Sequence, residues 1–188
     1  IYADTYLIPI AADAPTPMQS RIAIGFWDGT PENRIPPVGT KGEPLETLIL
    51  HGGTVMNPDL PPPPATPLRA VFSGALQMNG YSLRQKGSTL EVAVQWVALT
   101  QVYEDFNVLV HVQREGDLQP TAQGDSAPRA GAYPTSAWAV GVPFEDLYRI
   151  DVGDLSPGRY HILIGLYRLG DFSRLPLEGG GDVVRLEP

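Results

Sequence analysis

Two stretches of this chain, residues 21–36 and 161–176, carry the same residue pattern at a constant offset and without a gap. The matched residues are Ile22, Ile24, Gly25, Phe26, Trp27, Arg34, Ile35 and Pro36 against Ile162, Ile164, Gly165, Leu166, Tyr167, Arg174, Leu175 and Pro176. Upstream, residues 4–8 match residues 146–150 after a two-residue slip in the connecting loop. The pattern predicts two related strand–loop–strand units. Their equivalent aromatic residues, Trp27 and Tyr167, are predicted to be packing residues.

Alternation of apolar and polar residues indicates β-strands along most of the chain. It is strongest at residues 89–97, 106–113 and 160–167, where one side of each strand is predicted to face a core. Weaker strand signals lie at residues 3–10, 20–27, 45–51, 68–84, 145–152 and 182–187. No segment of ten or more residues has a convincing 3.6-residue helical period. The chain is therefore predicted to be all-β.

A Pro-rich stretch at residues 58–67 divides the chain unequally and is predicted to be a stiff polyproline II linker. Residues 68–188 hold about seven strand candidates, enough for a complete immunoglobulin-like antiparallel β-sandwich. Residues 1–57 match only the second half of that unit, because counterparts of residues 68–114 are missing before Ile1. An incomplete sandwich exposes edges and half a core. We expect this partial repeat to dock on the following domain or to pair with another chain.

Composition excludes several classes of function. The absence of cysteine rules out disulfides and thiolate metal sites. A formal net charge of −8 without a basic stripe argues against nucleic acid as a partner. No apolar run approaches the roughly 20 residues that span a bilayer. Because the chain opens on Ile1 rather than Met, we expect a fragment, upstream of which a targeting or membrane segment could lie. No cofactor is predicted.

The three histidines are His51, His111 and His161. Each falls within a predicted strand or at its end, and none has a second histidine nearby at metal-ligand spacing. Two roles are open: an ordinary surface or half-buried strand histidine, or a zinc or catalytic role that requires the histidines to converge in space. No metal site is predicted from this spacing.

Three acidic residues, Asp125, Glu145 and Asp146, flank the long polar loop at residues 115–144. Loops of this length are usually functional or held by anchoring side chains. The carboxylates could act in general acid–base catalysis or hold calcium, although no Asp-x-Asp-x-Asp-Gly run is present. We favour hydrogen bonding to loop amides. A hydrolase would require Glu145 or Asp146 to face Asp125 across a pocket, and no catalytic residue is predicted.

The segment from Tyr133 to Trp138 is the candidate ligand-binding site. Aromatic rings presented by a loop can stack on the C–H faces of a sugar, and Asp125, Thr135 and Arg129 could bond its hydroxyl groups. The alternative is that both rings close the open end of a sandwich core and hydrogen-bond the backbone. Replacement of Trp138 by alanine separates the two, because a sugar platform would lose binding and a core plug would lose stability.

An ordered set of residues resembles a known family. The set is Gln123-Gly-Asp125, Tyr133-Pro-Thr135, Trp138, Gly141, Pro157-Gly158-x-Tyr160, Ile164-Gly165-Leu166-Tyr167 and Arg174-Leu-Pro176. It is similar to the extracytoplasmic β-sandwich domain of bacterial membrane glycosyltransferases of the dolichyl-phosphate-mannose mannosyltransferase-like group, as in the Chloroflexi. The resemblance covers about residues 68–188, and its second half covers residues 1–57 again. It implies a non-catalytic accessory module, because the family's catalytic acids lie in the membrane part.

Two functions are therefore expected for the chain. As an accessory module outside the cytoplasm, it would recognise carbohydrate or a protein partner. As a structural module without a ligand, it would self-associate as a homodimer through residues 1–57.

Overall fold

The computed structural model describes residues 5–27, 29, 33–45, 48–56 and 59–186. The described residues form antiparallel β-sheets and two short 3-10 turns, Pro128–Gly131 and Thr135–Ala137, which confirms the predicted all-β class. The twelve described strands are β1 (Met18–Ile24), β2 (Phe26–Trp27), β3 (Arg34–Ile35), β4 (Leu48–Val55), β5 (Thr66–Phe72), β6 (Leu76–Lys86), β7 (Thr89–Ala98), β8 (Phe106–Arg114), β9 (Ala122–Gln123), β10 (Phe144–Asp151), β11 (Tyr160–Arg168) and β12 (Val183–Leu186).

Strands β5 to β12 form a sandwich of two four-stranded sheets, with orders β10-β7-β6-β5 and β12-β11-β8-β9. Alternate residues of the central strands point into the space between the sheets and are buried there. These core residues include Val92, Val94 and Trp96 of β7, Val108, Val110 and Val112 of β8, and Ile162, Ile164 and Leu166 of β11. The strands predicted at residues 89–97, 106–113 and 160–167 are thereby confirmed. Their period of two reflects one buried face for each strand.

The weak strand signal at residues 68–84 is a hairpin of two strands, β5 and β6, rather than one strand. Ser73 and Gly74 make its turn, with left-handed φ angles of 48° and 68°. Strand β5 begins inside the Pro-rich stretch, where Pro67 pairs with Gly80. Upstream, the Gln95 side chain donates a hydrogen bond to the Pro62 carbonyl over 3.1 Å. The described part of the Pro-rich stretch is therefore bonded to the first sheet.

The N-terminal part, residues 5–56, contains two small two-stranded sheets, β1-β4 and β2-β3. Its strands pair at the positions that the sequence match relates to the sandwich. The pairs are Ile22 with Leu50, Ile24 with Leu48 and Trp27 with Arg34, against Ile162 with Leu186, Ile164 with Val184 and the bridge of Tyr167 with Arg174. The matched residues of β1 and β11 thus pair in the same way, although their partners on β4 and β12 lie outside the matched stretches.

The strand predicted at residues 3–10 is wrong for residues 5–10, which form no regular structure; residues 3 and 4 lie outside the described part of the chain. The matching residues of the sandwich belong to β10, which pairs with β7 along its whole length. Within the described residues 5–56, no strand pairs with residues 5–10. A strand is stabilised by backbone hydrogen bonds to a neighbour, so the sequence pattern alone does not produce one here.

The N-terminal part lies against the loop that closes the sandwich. Four hydrogen bonds join the two regions: the Gln19 amide to the Ala132 carbonyl (2.7 Å), the Arg129 guanidinium to the Thr16 carbonyl (2.8 Å), the Thr54 hydroxyl to the Ala137 carbonyl (3.2 Å), and the Tyr133 hydroxyl to the Met56 sulfur (3.7 Å). On the loop side, two of these four groups are backbone carbonyls and two are side chains, so the contact depends on the conformation of that loop.

Candidate functional site

The aromatic residues expected to stack on a sugar lie in the sandwich core. Tyr133 and Trp138 are 0% and 2% exposed. The Trp138 ring lies edge-on to Phe144, with centroids 4.7 Å apart, and 6.0 Å from the ring of Trp96. Its Nε1 donates to the Tyr133 carbonyl over 3.0 Å. Neither ring offers a face to a ligand, which corrects the expectation of a stacking surface and fits the core plug.

The polar groups of the same loop are bonded within the protein. Thr135 is fully buried; its hydroxyl donates to the Glu104 carbonyl over 2.6 Å and accepts from the Phe106 amide over 3.0 Å. The Tyr133 hydroxyl accepts from the Ala139 amide over 2.9 Å. These bonds satisfy groups that burial would otherwise leave unpaired. Thr135 is therefore an anchor of the loop, and the expectation that it binds a ligand is corrected.

Asp125 lies apart from this plug, beside strand β8. Its carboxylate accepts from the Val110 amide over 2.9 Å and lies 3.1 Å from Nε2 of His111. The Val110 amide belongs to strand β8, so this bond differs from the bonding to loop amides predicted for these acids. It fastens the segment after β9 to the second sheet.

The histidines do not form a described metal centre. His111 contacts Asp125, whereas Nε2 of His161 contacts the guanidinium of Arg185. The side chain of His51 lies outside the described part of the structure. Among the side chains that the structure describes, no group of three or more His, Asp or Glu residues is close enough to share a metal ion.

Asp146 is a buried carboxylate that holds the loop backbone. It accepts hydrogen bonds from the Tyr148 hydroxyl (2.6 Å), the Arg129 amide (3.0 Å) and the Leu147 amide (2.9 Å). Arg129 and Ala130 have left-handed φ angles of 54° and 52°, a conformation that non-glycine residues adopt only when contacts enforce it. Burial raises the pKa of Asp146, although the three donors act in the opposite direction. Its role is the predicted bonding of loop amides.

A cleft of about 890 Å³ lies between the sheets at the opposite end of the sandwich. Strand β7 spans the distance between the two ends, because its Leu90 lines the cleft and its Trp96 packs against Trp138. Apolar side chains and cationic groups line the cleft together: Leu83, Leu90, Leu155, Arg84, Arg159 and the half-buried ring of Tyr160. Sequence analysis did not indicate this cleft, because its lining comes from separate parts of the chain and the Pro157-Gly158-x-Tyr160 motif alone does not indicate a concave site.

The N-terminal apolar surface is the second feature that sequence analysis did not place. It consists of five exposed side chains: Ile22, Ile24, Phe26, Trp27 and Ile35. Trp27 is 62% exposed, so its predicted role as a packing residue is wrong. Exposed apolar side chains gathered on paired strands, as Phe26 and Ile35 are here, commonly mark sites of contact with other proteins. The equivalent Tyr167 is buried as predicted, and its hydroxyl accepts from the side chain of Asn107 over 3.3 Å.

No known protein family, curated protein or solved structure matches this chain. In the described ranges, no helix has the length and apolar character needed to cross a membrane. The two candidate sites are the cleft between the sheets and the N-terminal apolar surface. Both are identified from the structure of this chain and not from a relative.

Replacement of Trp138 by alanine is expected to destabilise the protein by about 3–5 kcal/mol, because it leaves a cavity among Trp96, Tyr133 and Phe144. The measurement is the free energy of unfolding in urea. Tyr103→Ala is the matched control, since Tyr103 is an exposed aromatic residue and its loss should change stability by less than about 0.5 kcal/mol. Equal stability of the two variants would contradict the core plug.

The raised pKa of Asp146 predicts a pH dependence of stability. Above the ordinary Asp pKa of about 3.9, the folded state retains a proton that the unfolded state has released. This contribution to stability is therefore lost as the pH rises from about 4 through the raised pKa of the folded protein. Asp146→Asn has no proton to lose and should lack this decline. Urea unfolding of both proteins at a series of pH values tests it, and parallel curves would refute it.

Proposed function

We propose that this chain is a non-catalytic accessory module that acts as a contact surface for other polypeptides. The observation that carries the proposal is the N-terminal apolar surface, where Ile24, Phe26 and Trp27 are exposed on short antiparallel strands. Full burial of one large apolar side chain contributes roughly 1.5–3 kcal/mol. Covering several of them at once would therefore provide enough free energy for a specific association.

The anchoring of the N-terminal part supports this role. Hydrogen bonds from Gln19 and Thr54 attach it to backbone carbonyls of the loop that Trp138 and Asp146 hold in place. A surface presented by bonded strands loses less conformational entropy on association than a free chain does. The module thus presents its contact surface on a rigid support.

The setting of the module is part of the same proposal. We propose that it belongs to a larger membrane-associated protein of the glycosyltransferase type and lies outside the cytoplasm. The support for this setting is the sequence resemblance over about residues 68–188, whose matched motifs lie between Gln123 and Pro176. In such a protein an accessory β-sandwich would position other parts of the assembly, and the chemistry would belong to the membrane part.

The isolated chain is expected to self-associate through the N-terminal apolar surface. Light scattering over a range of concentrations should show a dimer whose fraction grows with concentration. Phe26→Asp should shift the protein to monomer, because a charge at the contact would lose its hydration on association. The matched control is Leu118→Asp, an equally drastic change at an exposed leucine of the sandwich. A strict monomer at every concentration would count against self-association.

A second candidate function is carbohydrate recognition at the cleft. The specific observation is a half-buried aromatic ring, Tyr160, beside the polar side chains of Arg84, Gln85 and Glu115 in one concave site. Ligand sites combine an apolar lining with a few polar groups that fix orientation, as this cleft does. The proposed sugar site therefore lies at the open end of the sandwich and not at the end that Trp138 closes.

A glycan array screened with the intact chain, with and without calcium, tests this second function. Specific binding should be lost in Tyr160→Ala and retained in Tyr103→Ala, an exposed tyrosine outside the cleft. Folding of both variants is checked by their melting temperatures. Silence of the folded wild-type protein on a broad array would refute carbohydrate recognition and leave the contact function as the remaining proposal.

A further inference from the structure

The two matched stretches have the same apolar pattern and opposite burial. In the sandwich, the core-facing residues of β11 are 5%, 0% and 0% exposed, whereas their matches in the N-terminal part are 39%, 37% and 68% exposed. The residues in that order are Ile162, Ile164 and Leu166 against Ile22, Ile24 and Phe26. The two strands thus carry a similar apolar pattern but differ in their neighbours, because β11 lies between β12 and β8 and faces the first sheet, whereas β1 has β4 as its described partner.

The sandwich shows what covers this pattern. The side chains of β11 pack in one core with those of the facing sheet, above all Val92, Val94 and Trp96 of β7. These residues alternate along an amphipathic strand, and each is completely buried. A face of the β11 type is therefore satisfied by an antiparallel sheet of the β5–β6–β7 type.

The exposure of residues 5–10 is a second, independent observation that indicates the same kind of partner. Tyr6 and Ile8 are 80% and 67% exposed, whereas the matching residues of β10, Tyr148 and Ile150, are 2% and 1% exposed. In β10 these residues pair with Val92 and Leu90 of β7 in regular antiparallel register. A strand of the β7 type would supply both the backbone partners and the apolar cover that residues 5–10 lack among the described residues.

We propose that the N-terminal part receives an antiparallel β-sheet of the β5–β6–β7 type from another polypeptide segment. The free edge strand of that sheet pairs with residues 5–10, and its apolar face covers Ile22, Ile24 and Phe26. This inference rests on the proposed contact function and identifies the partner of the same surface. The binding mode is β-strand addition, in which backbone hydrogen bonds give affinity and alternate side chains give specificity.

A second copy of the surface would be a poorer partner. Two such surfaces packed face to face would cover the apolar side chains of β1 and β2. Both, however, are of the β11 type, and neither contributes a strand that resembles β7. The backbone groups of residues 5–10 would gain no ladder in that arrangement. The complete complement is therefore a sheet that resembles the first sheet of the sandwich.

The experiment uses the intact chain and a labelled synthetic peptide with the sequence of residues 89–98, which is strand β7. Fluorescence anisotropy should show saturable binding, and hydrogen exchange should show new protection at residues 5–10. Excess peptide should also convert the dimer to monomer. The control peptide carries serine in place of Val92, Val94 and Trp96, and it should not bind because its apolar face is gone.

Variants of the intact chain locate the binding. Tyr6→Asp combined with Ile8→Asp should weaken peptide binding by about tenfold or more. Both side chains are exposed, so the melting temperature should stay unchanged. Leu118→Asp is the matched control and should bind the peptide like the wild-type protein, because Leu118 is exposed but lies outside the N-terminal part.

The outcomes separate this inference from the contact function. A chain that dimerises through Phe26 but ignores the peptide would overturn the β7-type partner and leave the contact function standing. A strict monomer that does not bind the peptide would overturn both. New protection confined to the neighbours of β7 in the sandwich would indicate exchange of that strand, and it would also overturn the inference. Protection at residues 5–10, lost in the double variant, supports it.

Discussion

The insertion of the Trp138 ring into one end of the sandwich is the interaction on which the rest of the structure depends. The ring packs against Trp96 of β7 and Phe144 of β10, which are neighbouring strands of one sheet. Its Nε1 donates a hydrogen bond to the Tyr133 carbonyl of its own loop. The loop backbone fixed in this way then supplies the carbonyl of Ala132, to which the N-terminal part is bonded. One buried ring thus closes the core and also sets the position of the N-terminal part.

The strands of the sandwich could be predicted because each has one buried face. The alternation at residues 89–97 and 106–113 is a local property of the sequence. In the structure, the alternate apolar residues of β7 and β8 are the ones that pack in the core. The hairpin at residues 66–86 escaped prediction because its turn is short and apolar residues flank it closely. Phe72 and Leu76, on either side of Ser73 and Gly74, are both fully buried, so polarity does not mark the turn.

The candidate sites could not be predicted to the same extent, because they depend on contacts between residues distant in sequence. The direction of the Tyr133 and Trp138 rings is decided by Trp96 and Phe144, and a polar loop sequence gives no sign of that cavity. The cleft is assembled from the end of β6 and the turn before Tyr160, which are distant in sequence and meet only in the fold. Among the acids, the predicted bonding to a loop amide is found for Asp146, which accepts from the Arg129 amide, since loop amides require acceptors wherever the loop lies.

The N-terminal part separates two properties that usually occur together, amphipathic alternation and burial. Ile24 and Ile164 are the same residue in the same pattern, and each pairs with an antiparallel neighbour, yet only Ile164 is buried. The difference lies in the neighbours: β11 also pairs with β8 and has a facing sheet, and no described strand provides either of these for β1. Alternation therefore specifies which side of a strand avoids water, and the facing sheet determines whether that side becomes a core. The same holds for backbone hydrogen bonds at residues 5–10. Their sequence resembles that of β10, yet it forms a strand only in β10, where the neighbouring strand β7 offers hydrogen bonds.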